Sequence, residues 1–311
     1  KEGSVVSRVP LLVGAGDSPI ALLDVAVDVA RGAEPPPPEI TLAARPAAAL
    51  LTKLPVPQLR AAIEAVIMSR SLEVGLQWMH DAGVLAVLLP ELEATVDFSQ
   101  EAGRRHKDVW EHTKQVVMQS VPNPLTRWAA LLHDVGKVPT REMLPDGKVT
   151  FHRHAEVGAR MWDPIARRLG FDKNERHKIR FLVLHHLRAN AYEPAWTDAA
   201  VRRFDHEMGE HLDDLLDLSR ADVTSRRPGR RQEAVRNIHA LKERILAIRA
   251  LDARVPPLPP GLGNAIMQIF RLPPSKRIGD LRKLCEEAVE RGELEERRDA
   301  TYYVEFLRDK I

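Results

Sequence analysis

The sequence predicts a mainly α-helical protein: a helical bundle with one short β-hairpin, a helical neck before it and a smaller helical module after it. Three observations carry this expectation. Leu, Ala, Arg and Glu are abundant while aromatic residues make up 5% of the 311-residue chain, a balance that favours helices over sheets. Apolar residues recur at three- and four-residue spacing in the neck and again after Pro228, as amphipathic helices require. The turn signal Pro145-Asp146-Gly147 lies between two short extended pieces, which accounts for the hairpin.

Taken in order, residues 1–45 read as an amino-terminal appendage and Pro-rich linker. They are apolar, contain Gly and carry Pro35 to Pro38 near their end, a tract that extends the backbone and stops helices. Residues 46–100 form the neck. Leu59, Ala62, Ile63, Val66 and Ile67 make one stripe, and Leu72, Leu76 and Met79, then Leu85, Leu88 and Leu89, continue it in two short helices. Residues 101–228 are the histidine-rich block, with helices expected at Lys107 to Ser120, Leu125 to Val135, His154 to Leu169, Glu175 to Leu187 and Glu210 to Val223. Asp172 and Glu175 have the capping-box spacing that starts a helix. Residues 229–311 form the last module: Ala234, Ile238, Leu241, Ile245 and Ile248 make a buried seam, Pro256 to Pro260 end it, and three short helices follow Gly263, with Gly279 and Gly292 as punctuation.

Composition narrows the function classes. With 44% hydrophobic and 29% charged residues, the chain is an ordinary globular protein long enough for one to three domains. A net charge of +2 gives no global field to steer nucleic acid. Arg226, Arg227, Arg230 and Arg231 nevertheless cluster, and two readings of them carry equal weight: a solvated face, or contact with phosphate or an RNA backbone, which Arg binds bidentately. Cys285 is the only cysteine, so no intrachain disulfide forms and a reducing compartment is expected. No apolar run approaches the roughly 18 residues of a membrane span, and Leu11 to Ile20 is broken by Gly14, Gly16, Asp17 and Pro19. The expected location is the cytoplasm, with no membrane partner.

Eight of the twelve histidines lie between positions 106 and 186. His133 and Asp134 sit side by side at the end of an expected helix, so one helical corner offers an imidazole nitrogen and a carboxylate whose second oxygen can bridge to another ion. His112 precedes them by one helix and a return turn; His154, His185, His186 and Asp222 follow on further helices. Gly158, one turn after His154, allows close backbone approach. Each residue alone reads as a surface or satisfied core group. Together they read as the centre of a metal-bound phosphohydrolase, with Lys137 nearby to meet a phosphate. His106 and His152 are open between supporting a metal ligand and facing the substrate, and the other histidines lack such context.

The order His112, His133-Asp134, Asp222 resembles the HD superfamily of metal-dependent phosphohydrolases, and His154, His185 and His186 resemble the additional ligands of its binuclear members. From about Leu59 to Arg291, about three-quarters of the chain, the sequence is similar to the part of bacterial tRNA nucleotidyltransferases, the CCA-adding enzymes and poly(A) polymerase relatives, that follows their catalytic head. The matching pieces are Ala82-Gly83-Val84-Leu85, Leu89-Pro90-Glu91-Leu92, Lys107-Asp108-Val109, Glu111-His112-Thr113, Trp128 to Lys137, Phe151-His152-Arg153-His154 and Arg220-Ala221-Asp222.

The resemblance implies one or two divalent ions, drawn from Mn, Fe, Co, Ni, Zn and Mg, with His112, His133, Asp134 and Asp222 on the first, and His154, His185 and His186 with a bridging Asp134 on the second. Asp134 and Lys137 are the expected catalytic residues, and Lys137, Arg141, Arg153 and Arg188 the expected phosphate ligands. It also implies nucleotide or RNA substrates, tRNA among them, and hydrolysis of the 2′,3′-cyclic phosphodiesterase or phosphatase type. The family's polymerising head carries a Gly-rich strand-turn followed by an Asp-x-Asp pair. Here Val13-Gly14-Ala15-Gly16 is followed by Asp24 and Asp28, which on a strand would stand roughly 13 Å apart, and residues 1–40 are short for a head. No nucleotide-adding activity is therefore expected. The alternative is an RNA-binding or tRNA-binding scaffold with a remnant HD site.

Overall fold

The computed structural model describes residues 19–98, 108–225 and 227–311. Among the described residues the chain is helical apart from one antiparallel hairpin, Glu142–Met143 with Val149–Thr150, as the sequence predicts. It divides into two compact units. One holds the described residues up to Asn190 together with Asp213–Ala234; the other holds Ala191–Leu212 together with Val235–Ile311. This division differs from the boundaries drawn on the sequence: the neck and the histidine block share one unit, and residues 191–212 belong with the carboxy-terminal helices.

Within the first unit, the helix Ile20–Ala30 corrects the expectation of an appendage. Leu22, Leu23, Val25, Ala26, Val29 and Ala30 are all buried, because they recur at the three- and four-residue spacing of a core-facing helix. The helix packs on Leu72–Asp81 and Val56–Ile67. Gly75 makes the approach possible: a Cβ placed there would stand 2.5 Å from the Ala30 Cβ. Asp24 and Asp28 thus lie one helical turn apart on this helix rather than on a strand. Val13-Gly14-Ala15-Gly16 lies outside the described residues.

The helices that carry the histidines begin where local chemistry starts them. Asp108 accepts from the Trp110 N–H (2.9 Å) ahead of Val109–Gln119, and Asn123 accepts from Leu125 and Thr126 (3.1 Å each) ahead of Pro124–Leu132. Asp172 and Glu175 form the full capping box of Lys173–His185. Such caps satisfy the orphan donors of a first turn and contribute about 1 kcal/mol each. Behind them lies an aromatic cluster of Trp128, Trp162 and Phe171, with ring centroids 4.9–6.3 Å apart. The Arg60 guanidinium stands 3.7 Å from the Phe171 ring centre and forks onto Glu175 at 2.7 and 3.0 Å. A neck helix thereby fixes one of the ligand-bearing helices in place.

In the second unit, the helix Asp198–Met208 packs on Lys276–Glu290. The core there is Leu258, Leu262, Ile266, Ile278, Leu281, Cys285, Val289, Tyr303, Val304 and Leu307. The three expected helices are Leu262–Phe270, Lys276–Glu290 and Ala300–Leu307. Gly279 lies inside the second of them and does not punctuate, whereas Gly292 has φ +73° just beyond its end, the left-handed stop that glycine serves best. Arg202 forks onto Asp252 at 2.6 and 2.8 Å and also pairs with Glu296, and Arg297 reaches Asp252 at 3.0 Å. Among the described residues no helix is long and apolar enough to cross a membrane.

Candidate metal centre

Five segments of the first unit deliver polar groups to one point. His112 projects from Val109–Gln119; His133 caps the end of Pro124–Leu132 with Asp134 beside it; His154 opens His154–Arg168; His186 caps the end of Lys173–His185; Asp222 lies one residue past Leu212–Ala221. Three of the four imidazoles are held by one local device, a ring nitrogen bonded to the carbonyl three residues back. His133 Nδ1 meets Ala130 O at 2.7 Å, His154 Nδ1 meets Phe151 O at 3.0 Å, and His186 Nδ1 meets Val183 O at 2.7 Å. At the two helix ends this also satisfies a carbonyl that has no partner within the helix. His112 Nδ1 meets the Thr224 hydroxyl at 2.9 Å. With Nδ1 so engaged in all four, Nε2 is the atom presented to the centre, the arrangement of metal-binding histidines.

The Nε2 atoms and carboxylates form two triads, His112/His133/Asp222 and Asp134/His154/His186, each with its ligand atoms within 4.8 Å of one another. In the first, His112 Nε2 is 3.3 Å from His133 Nε2 and 2.9 Å from Asp222 Oδ1, which is 3.3 Å from His133 Nε2. In the second, His154 Nε2 and His186 Nε2 are 3.3 Å apart, and Asp134 Oδ1 is 3.5 and 3.9 Å from them. Asp134 faces both: its Oδ2 is 3.2 Å from His133 Nε2 and 3.5 Å from His112 Nε2. Two nitrogens bound at ~2.1 Å to one ion at a tetrahedral angle stand roughly 3.4 Å apart, so the spacing fits divalent cations. The donor set of imidazoles and carboxylates suits borderline first-row metals, and burying such a set is costly without a cation to pair it.

Charge is uneven within the centre. Burial opposes ionisation of Asp134, but His133 and Lys137 outweigh it and hold the carboxyl well below the usual range. Asp222 is likewise held far down, burial being overcome by the charge of His133 and the hydrogen bond from His112. Burial also opposes a charge on His133, yet the Asp134 and Asp222 carboxylates lift it to about 10. Burial, then repulsion from His133, pushes His186 down to about 4, and burial lowers His154. A cation binding at the Nε2 of His133 would have to displace a proton.

Of the seven metal ligands expected from the sequence, six converge. His185 does not: it belongs to neither triad and packs its ring on Phe181, with centroids 4.3 Å apart. Adjacent helical residues point about 100° apart, so one member of the His185-His186 doublet faces the centre and its neighbour faces elsewhere. Thr224, unassigned from the sequence, orients His112, and Gln119 holds the same segment by donating to Ala221 O at 2.7 Å. No sequence pattern marks either residue, because each acts through a contact about a hundred positions away. Among the described residues the glycine with least room is Gly136, where a Cβ would stand 2.0 Å from His154 O; at Gly158 the nearest atom would be 3.4 Å away.

The expected phosphate ligands are placed as follows. Lys137 Nζ donates to Asp134 Oδ2 at 2.8 Å. Arg141 and Arg153 are exposed and Arg188 is partly buried, and Arg153, immediately before His154, has φ +61°, a left-handed conformation costing roughly 1–2 kcal/mol in a non-glycine residue. Such strain gathers at functional sites. Arg227, Arg230 and Arg231 are exposed. Arg226 and His106 lie outside the described residues, and His152 is exposed. A separate cavity of about 1240 Å³ lies between Val29, the Pro35–Pro38 tract and Trp78, and includes none of these groups.

Residues 97–227 match the HD domain family. The A-adding tRNA nucleotidyltransferase of Deinococcus radiodurans is 34% identical over 265 residues, 81% of this chain and 59% of that protein. The CC-adding tRNA nucleotidyltransferase of Thermus thermophilus is 30% identical over 249 residues, 78% of this chain and 55% of that protein. The multifunctional CCA protein of Pseudomonas paraeruginosa is 34% identical over 132 residues, 41% of this chain and 32% of that protein. The chain thus spans less than two thirds of the length of these curated relatives. It contains an HD domain and is homologous, over about four-fifths of its length, to the A-adding and CC-adding tRNA nucleotidyltransferases.

Proposed function

We propose that this chain is a metal-dependent phosphohydrolase of the cytoplasm that acts on nucleotides or RNA ends, of the 2′,3′-cyclic phosphodiesterase or phosphatase type, with no nucleotide addition by these residues. The single observation that carries the reading is Asp134, whose two oxygens face two separate triads. His112, His133 and Asp222 with Asp134 would hold one divalent ion, and His154 and His186 with Asp134 a second. When bound, such ions make water acidic enough to ionise near neutral pH and neutralise charge on a phosphoryl group. Water oxygen then bonds to phosphorus, the ester P–O bond breaks, and the departing oxygen takes up a proton.

The chain's own residues position and stabilise. The backbone carbonyls of Ala130, Phe151 and Val183 and the Thr224 hydroxyl lock the imidazoles, so no ligand must reorient during reaction. Lys137, held on Asp134, presents a cation at the edge of the centre for a non-bridging oxygen whose charge grows in the transition state. Arg153 and Arg188, one residue before His154 and two after His186, would share that task, as would Arg141. Hydrolysis of nucleoside 2′,3′-cyclic phosphates and of 2′- and 3′-phosphorylated nucleosides by the wild type, and its loss in Asp134→Ala, tests the reading; equal turnover in both proteins sinks it.

The exposed Arg227, Arg230 and Arg231, which follow Asp222 closely, together with relatives named for acting on tRNA, favour a second reading as an RNA-binding scaffold. Tight tRNA binding without hydrolysis of any phosphate ester would select it.

A further inference from the structure

Beside the metal centre, the hairpin brings together side chains that metal binding does not use. Its register pairs Glu142 with Thr150 and Met143 with Val149. Arg141, just before the first strand, and Phe151, just after the second, therefore flank the hairpin's base. Phe151 is joined to the centre twice: its carbonyl holds the ligand His154 at 3.0 Å, and its ring centre lies 5.7 Å from Lys137 Nζ, the amine bonded to Asp134. The Phe98 ring lies 6.4 Å from that of Phe151, and the Arg141 guanidinium stands 5.7 Å from the Phe98 ring centre. Both phenylalanines are only partly buried, and Arg141 is exposed. The row Asp134, Lys137, Phe151, Phe98, Arg141 thus leads from the buried carboxylate out to solvent.

Partly exposed aromatic rings beside a guanidinium, at the edge of a phosphate site, are suited to one ligand feature, a flat π-system. Nucleobases stack on such rings whatever their sequence, and Arg planes extend the surface. A single nucleoside spans the interval from a base on Phe151 to a phosphate at Lys137. We propose that the hairpin base is a nucleobase platform, in which Phe98 and Phe151, with Arg141 over Phe98, take the base of a substrate whose phosphate lies at the Lys137 edge of the centre. The site then selects phosphate esters that carry a nucleobase over those that do not. The proposal deepens the phosphohydrolase reading and rests on it for the position of the phosphate.

The test compares the metal-loaded wild type with Phe98→Leu and Phe151→Leu, each checked for wild-type metal content. The first readout is the ratio of kcat/KM for adenosine 2′,3′-cyclic phosphate to that for the base-free glycerol 1,2-cyclic phosphate. Each substitution is expected to lower this preference roughly tenfold, as the loss of a base stack would. The second readout is quenching of 2-aminopurine riboside 3′-phosphate fluorescence on binding, which needs no turnover; quenching is expected in the wild type and is reduced in both variants. An unchanged substrate ratio with unchanged quenching overturns the platform. If the wild type hydrolyses neither substrate, the phosphohydrolase reading falls, and quenching alone decides: its loss in Phe98→Leu upholds a base site, and its absence from the wild type overturns one.

Discussion

The histidine-bearing block and the carboxy-terminal unit are both assembled from amphipathic helices, yet they treat buried polarity in opposite ways. In the carboxy-terminal unit the charges neutralise each other: Arg202 and Arg297 each meet both Asp252 and Glu296, and the core is apolar apart from the Cys285 thiol and the Tyr303 hydroxyl, which donates to Glu295 O at 2.8 Å. In the histidine block, four imidazoles and two carboxylates converge in two adjoining triads, with His133, Asp134 and His186 buried. Opposite charges that cancel report on architecture. Donor atoms that face one another with Nδ1 already engaged report on a ligand, because their arrangement is favourable only around a cation.

The sharpest way to break that contrast is to cut each region at its polar centre. Asp134→Ala should abolish phosphate-ester hydrolysis, whereas Arg202→Ala should leave turnover and metal content unchanged and lower only the unfolding midpoint; steady-state assays with denaturant melts check both. A change of next rank is Thr224→Val, which removes the partner of His112 Nδ1 and leaves all six converging side chains in place. Loss of such an outer contact weakens metal affinity by roughly 10–100-fold, to be read by competition with a chelating dye. An unchanged affinity would mean that His112 is oriented by packing alone.

Proton competition at His133 gives a further test. Burial opposes its charge, yet the Asp134 and Asp222 carboxylates raise its pKa from the ordinary value of 6.5 to about 10 in the folded protein. The folded value being the higher one, the proton's stabilising contribution is full below pH 6.5 and is lost as pH rises through about 10. A cation must displace that proton. Metal loading near pH 8 should therefore release protons to a weakly buffered indicator, and apparent affinity should fall on acidification. The smallest expected effect belongs to the other region: burial, then the charge of Glu286, pushes the Cys285 thiol up to about 11. Thiol alkylation at pH 8 should be slow in the native protein and rapid in denaturant.

The same contrast explains what was legible in the sequence. His133-Asp134, His154 and Asp222 stand at helix ends, where local patterns place the turn and hence the side chain, and the apolar seam of Ile238, Leu241, Ile245 and Ile248 follows from periodicity. His186 against His185 was not legible, since a doublet does not reveal which ring faces inward. Thr224 and Gln119 act across about a hundred residues, and no local pattern encodes such a contact. The helix Ile20–Ala30 was hidden by the Gly and Pro residues before it, although its own spacing of Leu22, Ala26, Val29 and Ala30 is helical. Residues 191–212 join the carboxy-terminal unit through the packing of Asp198–Met208 on Lys276–Glu290, a long-range choice that boundaries drawn from composition do not capture.

The most direct measurement is metal content per chain, by mass spectrometry on the untagged full chain and on Asp134→Ala. A metal centre at Asp134 predicts one or two transition-metal ions per wild-type chain and their loss when this carboxylate is removed. A wild type that retains no metal after reconstitution, or a variant that retains as much as the wild type, would contradict it.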